Sequence, residues 1–349
     1  MNTSALFLGL LMFSFIVTSI LIVPFINMLY RLRFQRAQQK TKDVFGAFTT
    51  IFDKFHAEKA GTPVGGGFLV IVVVSILFAL IIPALQLFGI PIISIHTNLS
   101  AEIQILFVTF LSFGALGLYD DIKKFFKLES SGFFGMRMRH KLFVQITLAL
   151  LISCMLYFQL HISFVNVPFI DNFELGVFFI PFASFTIVAF ANAVNVTDGL
   201  DGLAAGNLMI TLFGLWFLSI SDSLMDVPIA TFIALWLGAL ISFLYFNVYP
   251  ARMFMGDVGS MAFGAALAVV GLLLGKIIAL IIISSFFVIE ITSSLLQLLS
   301  KKFRKKKILP AAPFHLTLQH KGWEEPKIVQ RAWLVQIMLT IFGMWLALL

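Results

Sequence analysis

Ten stretches of this 349-residue chain are apolar over roughly the length of a membrane crossing, near 5–25, 68–88, 104–119, 142–158, 176–193, 204–220, 228–245, 258–275, 277–297 and 332–349. A helix needs about 20 such residues to cross roughly 30 Å of hydrocarbon. A lone span must satisfy its own backbone, so each stretch is predicted as a helix whatever its intrinsic preference. That rule decides residues 68–80, FLVIVVVSILFAL, whose β-branched content would favour a strand in water. The expectation is an all-α, polytopic integral membrane protein of about ten transmembrane helices, forming one domain over 1–349. The third candidate is the shortest, and the boundary between the eighth and ninth rests mainly on Gly275–Lys276. With 60% hydrophobic and 12% charged residues and a mean hydropathy of +1.01, the chain is too apolar for a soluble domain.

The charges sort by loop. Twenty-three of the 24 Lys and Arg lie in 26–67, 120–141, 298–331 or at Arg252. With ten spans these segments share one side of the bilayer, and only Lys276 falls on the other. Such bias marks the cytoplasmic face, which places both termini outside. The expected cytoplasmic loops are therefore about 26–67, 120–141, 194–203, 246–257 and 298–331. The net charge of +7 is accordingly a topological signal, and no nucleic-acid partner is expected. The Lys301–Lys307 run reads as an interfacial anchor that can also attract anionic lipid headgroups.

The opening span lacks a basic leader and a clear small-residue cleavage site, and reads as a retained helix. The single cysteine, Cys154, excludes an intrachain disulfide and a multi-cysteine metal site. No convincing internal repeat is present.

Five aspartates sit where the apolar helices meet the basic side: Asp120 and Asp121 after span 3, Asp198 and Asp201 after span 5, and Asp257 before span 8. Acidic groups at a membrane boundary must be solvated, paired or bound to a cation. The adjacent Asp120–Asp121 pair calls for a divalent cation or a lysine partner, or else is a solvated helix end. In NAVNVTDGLDGLAAG (192–206), Asp198 and Asp201 would share a face if helical, with Asn192, Asn195 and Thr197 adding oxygens. In NVYPARMFMGDVGS (247–260), Asp257 stands at a helix start, where amides can hold phosphate and a carboxylate can hold its magnesium. Arg252 is a further phosphate or carboxylate partner. Asp171, Glu174, Asp222 and Asp226 fall on the outer side and read as loop solvation. His315 and His320 lack zinc-ligand spacing, but an interfacial histidine can position phosphate or move a proton. The whole set suits a magnesium–diphosphate substrate reached by a membrane lipid.

These motifs resemble those of the bacterial phospho-N-acetylmuramoyl-pentapeptide transferase family, within the polyprenyl-phosphate sugar-1-phosphate transferase superfamily. The likeness covers essentially the whole chain through GTPVGGG (61–67), Asp120–Asp121, NAVNVTDGLDGLAAG, FNVYPARMFMGDVGS (246–260) and HKGWEEPKIVQRAW (320–333). It implies ten helices and a cytoplasm-facing cleft in the bacterial inner membrane. The implied reaction moves phospho-MurNAc-pentapeptide from UDP-MurNAc-pentapeptide to undecaprenyl phosphate, releasing UMP and requiring Mg2+. Membrane lipids surround such an enzyme, and a homodimer is common in the family. By motif, Asp257 is the leading magnesium ligand and Asp120 and Asp121 are further candidates. Asp120, Asp121, Asp257 and His315 are the catalytic candidates, with Asp120 the proton acceptor or lipid-phosphate organiser. Lys59, Thr62, Asn192, Asn195, Asp198, Asp201, Asn247, Arg252 and His320 are the substrate-binding candidates. Where the family presents three consecutive histidines, this chain reads His315-Leu316-Thr317, and GTPVGGG replaces the usual GTPTMGG. Rival readings are the same chemistry on UDP-N-acetylglucosamine, an ion-coupled transporter, and a catalytically silent scaffold.

Overall fold

A computed structural model describes residues 3–36, 59–126, 136–169, 171–221 and 225–349. Among the described residues, the regular structure is helical apart from one short hairpin. The helices are α1 (Thr3–Arg31), α2 (Gly66–Leu87), α3 (Leu99–Phe126), α4 (Met138–Leu160), α5 (Phe179–Thr197), α6 (Leu203–Ser219), α7 (Val227–Asn247), α8 (Gly256–Leu273), α9 (Ile277–Ile283), α10 (Ser285–Arg304), α11 (Phe314–His320) and α12 (Glu325–Leu348). Strands β1 (Phe164–Val167) and β2 (Asp171–Glu174) pair antiparallel, with Val165 opposite Phe173. Among the described residues, eight helices are long and apolar enough to cross a membrane. The α9–α10 pair, bent by 82°, makes a ninth if it is one span, and α6 is a shorter apolar helix of 17 residues.

Helices that are apolar all round belong inside a bundle. α7 and α8 obey this rule and are enclosed on nearly every side, whereas α1, α4 and α12 expose most of their apolar surface. The core is an aromatic cluster drawn from four helices. The Phe110 ring of α3 lies 5.2 Å from Phe232 and 5.4 Å from Trp236 of α7, and Trp236 lies 5.3 Å from Phe263 of α8. Phe78 of α2 meets Phe232 edge-on at 5.4 Å. Edge-to-face pairs of this kind favour one packing over its alternatives.

The connections gather at two opposite ends. At one end, Arg36 N–H donates to the Thr62 carbonyl, Lys59 reaches Asp201 and Glu325, and Asp201 accepts from Ala251 N–H. At the other, Val227 N–H donates to the Ile93 carbonyl, His96 meets the Leu273 carbonyl, and Lys276 meets Asn166. Among the described residues, Arg36 and Lys59 of the first basic segment lie at the first end.

Several expectations change. The third span runs 28 residues rather than 16, so Asp120 and Asp121 lie within its last turns, 2% and 3% exposed. They are not a solvated terminus. The ninth span breaks at Ser284. Asp226 is fully buried and is the N-cap of α7, its Oδ1 accepting from Ile229 N–H at 2.9 Å and its Oδ2 from Ile95 N–H at 3.1 Å. It is a structural joint rather than loop solvation. Asp222 lies outside the described residues.

Candidate functional site

The site begins with a close helix contact. Gly117 of α3 packs against the backbone of Asp257, and a Cβ there would overlap the Asp257 carbonyl and Val258. Small residues permit such approach between membrane helices. One turn further along α3, this contact sets Asp120 and Asp121 beside the first turn of α8. Asp121 Oδ2 accepts from Val258 N–H at 3.0 Å, satisfying one of the amides left open at the helix start.

Asp120 and Asp257 face two ammonium groups. Lys141 Nζ lies 2.7 Å from Asp257 Oδ2 and 3.1 Å from Asp120 Oδ2. Lys124 Nζ lies 2.8 Å and 3.3 Å from the same two atoms, and 3.9 Å from Asp121 Oδ1. Asp120 Oδ1 accepts from Met136 N–H at 2.6 Å. From α5, Asn195 Nδ2 donates to Asp257 Oδ1 at 3.1 Å and to Ser260 Oγ at 2.7 Å. Three helices and the start of a fourth thus converge on one patch of alternating charge. Two carboxylates sharing two cations mark a point where positive charge is bound. Among the described residues, no three acidic, histidine or cysteine side chains form a metal cage by themselves.

Beside this patch is a pocket of about 780 Å³ lined by Lys59, Thr62, Asp201, Phe254, Gln319 and Trp323, among others. Lys59 spans it, 2.7 Å from Asp201 Oδ1 and 2.6 Å from Glu325 Oε1. The Phe254 ring lies beneath two cations, with Arg36 5.6 Å and Lys59 5.9 Å from its centroid. Asp198 stands between patch and pocket. Burial and the neighbouring Asp257 push its carboxyl up to about 7, against the pull of Arg36 and Lys59.

Comparison with known proteins decides the family. Residues 103–275 match the model for glycosyl transferase family 4. The phospho-N-acetylmuramoyl-pentapeptide-transferase of Clostridium perfringens is 37% identical over 90% of this chain and 89% of its own length. Those of Oceanobacillus iheyensis and Aquifex aeolicus are each 33% identical, covering 95% and 93% of this chain and 95% and 90% of their own. The chain belongs to the phospho-N-acetylmuramoyl-pentapeptide-transferase family.

The fold of this family member brings most of the sequence candidates to one end but gives them different work. Asp120, Asp121, Asn195, Asp198 and Asp257 form or adjoin the charged patch, and Lys59, Thr62 and Asp201 line the pocket. Asp198 and Asp201 do not share a helical face, because α5 ends at Thr197 and the chain turns before α6. Asn247 clamps two loops, accepting from Gly202 N–H at 3.2 Å and donating to the Met253 carbonyl at 2.9 Å. Asn192 lies one turn deeper than Asn195 and donates to Gln145 Oε1 at 2.9 Å. Arg252 is exposed and stacks 5.5 Å over Phe246, and His320 is exposed at the end of α11. Neither joins the patch.

His315 is buried behind the Asp198–Asp201 turn. Its Nδ1 lies 2.9 Å from Glu290 Oε2, its backbone N–H donates to Glu290 Oε1 at 3.1 Å, and its Nε2 edge faces Gly199, where a Cβ would collide with the ring. Leu316 and Thr317, in place of two imidazoles, are buried too, and the Thr317 hydroxyl donates to the Ala311 carbonyl. Sequence reasoning did not single out Lys124, Lys141, Glu290 or Glu325. Lys124 was within reach, being four residues from Asp120 and three from Asp121 once α3 is extended. The other three lie far away in sequence.

Proposed function

We propose that this protein transfers phospho-MurNAc-pentapeptide from UDP-MurNAc-pentapeptide to undecaprenyl phosphate, releasing UMP and forming the first lipid-linked intermediate of peptidoglycan. Supporting this above all is the patch where Asp120 and Asp257 share two lysine ammoniums, next to a pocket large enough for a nucleotide. A diphosphate substrate needs cations placed around it and an anion-tolerant wall, and little covalent chemistry from the protein. Lys59 and Asp201 hold the nucleotide end, while Lys124 and Lys141 hold phosphate oxygens. Asp257 and Asp120 are the oxygen donors that fit Mg2+, which takes one or two carboxylates and fills its other positions with phosphate and water. Asp121 has one oxygen committed to Val258 N–H and serves to hold the α8 start. When bound, the ion offsets the charge of the diphosphate and the departing UMP.

The acceptor phosphate is already ionised near neutral pH, so it attacks the sugar-linked phosphorus directly. Asp120 organises that phosphate through Lys124 and Lys141. Incubation with nucleotide substrate alone separates this route from one through an aspartyl phosphate: stoichiometric UMP release without lipid would exclude direct attack.

We also propose that the bilayer is crossed ten times, with α6 and the bent α9–α10 pair each counting once. α6 starts beside the site turn at Gly202, and its last residue, Ser219, accepts from Asp226 N–H at the opposite end. At roughly 1.5 Å per residue it spans about 25 Å, near the hydrocarbon thickness. The site end then faces the cytoplasm of a bacterial cell and both termini face outward.

The decisive assay offers defined undecaprenyl phosphate and Mg2+ with competing UDP-sugars, scored for UMP and lipid product. Turnover of UDP-MurNAc-pentapeptide alone is expected. Preference for UDP-N-acetylglucosamine would overturn the substrate assignment and keep the chemistry.

A further inference from the structure

The cationic run at the end of α10 takes no part in the site described above, yet it is a built feature. Six of the seven residues 301–307 are Lys or Arg, and no acidic residue occurs between Glu290 and Glu324. These 33 intervening residues therefore supply no carboxylate of their own to offset the run. The run is also held in shape. Lys305 reverses the backbone in the left-handed region, with φ 54°. Ser300 Oγ donates to the Lys306 carbonyl at 2.8 Å. The Gln297 carboxamide then accepts from Ile308 N–H at 2.9 Å and Leu309 N–H at 3.0 Å, and donates to the Leu309 carbonyl at 2.8 Å. Both side chains are buried. The turn is fastened back onto the helix rather than left as a loose tail, so less order remains to be imposed when something binds.

Apolar surface meets that charge. Leu295, Leu296, Leu299 and Phe303 are about half exposed or more and follow one helical stripe of α10. A groove of about 460 Å³, lined by Val288, Thr292, Leu296, Ile308, Leu309 and Phe314 among others, lies between α10 and the segment after the turn. Gln297 borders this groove and holds the cationic turn, so the two are continuous.

We propose that the α10 turn is a binding site for a resident anionic phospholipid, with an acyl chain in the groove and the headgroup phosphate against Lys302, Arg304 and Lys305–Lys307. The occupant follows from complementarity: an apolar groove ending at clustered cations matches a molecule with a chain at one end and a phosphate at the other. A soluble phosphate would leave the groove unfilled, and a zwitterionic lipid would bring its own cation against the turn. The inference is independent of the transfer reaction, since it concerns residues outside the charged patch and the pocket.

The test uses the purified full-length protein in mild detergent, titrated with phosphatidylglycerol or phosphatidylcholine, with bound lipid counted by native mass spectrometry. Phosphatidylglycerol is expected to bind in preference, and more weakly as salt rises. Replacing Lys302, Arg304, Lys305, Lys306 and Lys307 by Gln should lower its affinity by about tenfold or more. The charge-conserving exchange of the four lysines for Arg should retain it, and Ser293→Trp, which fills the groove, should lower binding without removing the salt dependence. Equal binding of the two lipids, or parental affinity in the Gln variant, would overturn the proposal. So would a Gln variant that loses affinity for undecaprenyl phosphate while keeping phosphatidylglycerol, because the turn would then serve the acceptor. Loss in the Arg variant would equally refute a site built on charge.

Discussion

Asp257 has two ammonium partners on one oxygen and the Asn195 amide on the other. Asp257→Asn keeps the shape and removes the charge that orients Lys124 and Lys141. A drop in kcat on the order of a hundredfold or more is expected, with an unchanged thermal melt in detergent showing that the fold survives. Near-parental kinetics would remove Asp257 from its assigned role. Asp198 makes a prediction of a different kind. Its carboxyl, pushed up to about 7 from the ordinary 3.8, holds a proton in the folded protein that the unfolded chain has already released. Across that window stability falls as pH rises, and the full cost is present above it. Asp198→Asn lacks this cost, so its melting temperature should gain on the parent's between pH 5 and pH 8. A pH-independent difference between the two would contradict the raised value. Both residues were visible in the sequence as acids at helix ends. Their charge partners were not, because Lys141 reaches Asp257 across 116 positions.

At the scale of elements, motif and spacing located nearly every helix but misjudged where several stop. Asp120 and Asp121 looked like the end of an apolar run, whereas the helix carries them to Phe126, since burial beside α8 and two lysine partners outweighs their polarity. The apolar stretch 277–297 contains no Pro or Gly to announce the 82° break at Ser284. There the Gln336 amide of α12 donates to the Ile283 carbonyl and its Oε1 accepts from Phe286 N–H at 3.1 Å, replacing partners the helix gives up. A tertiary contact of that sort leaves no local signal. The N-cap at Asp226 was equally hidden, since its second partner, Ile95, lies 131 residues away. Asp226→Ala should destabilise the protein by about 1–2 kcal/mol. Chemical denaturation in detergent should show that loss with little change in the activity of the folded fraction, and an unchanged midpoint would show the cap to be dispensable.

For the whole molecule, the informative property is the division of loops between two ends. Each end is tied together by tertiary hydrogen bonds that do not depend on any assumed membrane, and among the described residues Arg36, Lys59, Lys124 and Lys141 lie at the end bearing the site. Single cysteines introduced into a Cys154→Ser background test the proposed orientation in intact cells. A cysteine at Ile93 should react with a membrane-impermeant maleimide from outside, and one at Lys306 should react only after permeabilisation. The reverse pattern would invert the topology, and labelling of both from one side would refute the odd number of crossings, seven of the proposed ten, that separates the two positions.

Hydropathy alone establishes an all-α membrane protein, because bilayer thickness and backbone satisfaction admit few alternatives. The order of the polar motifs also placed this chain among its relatives, since the chemistry of a phosphate site restricts which residue types can serve. Which groups meet was settled only by packing. Gly117 lets α3 approach the start of α8, Lys59 ties the first motif to Asp201 and the last loop, and Glu290 holds His315 inside the bundle rather than at the charged patch. Each of those contacts joins positions far apart in the chain. Their energies depend on distances that only the assembled bundle defines, because a charge or a donor acts through space and not along the sequence.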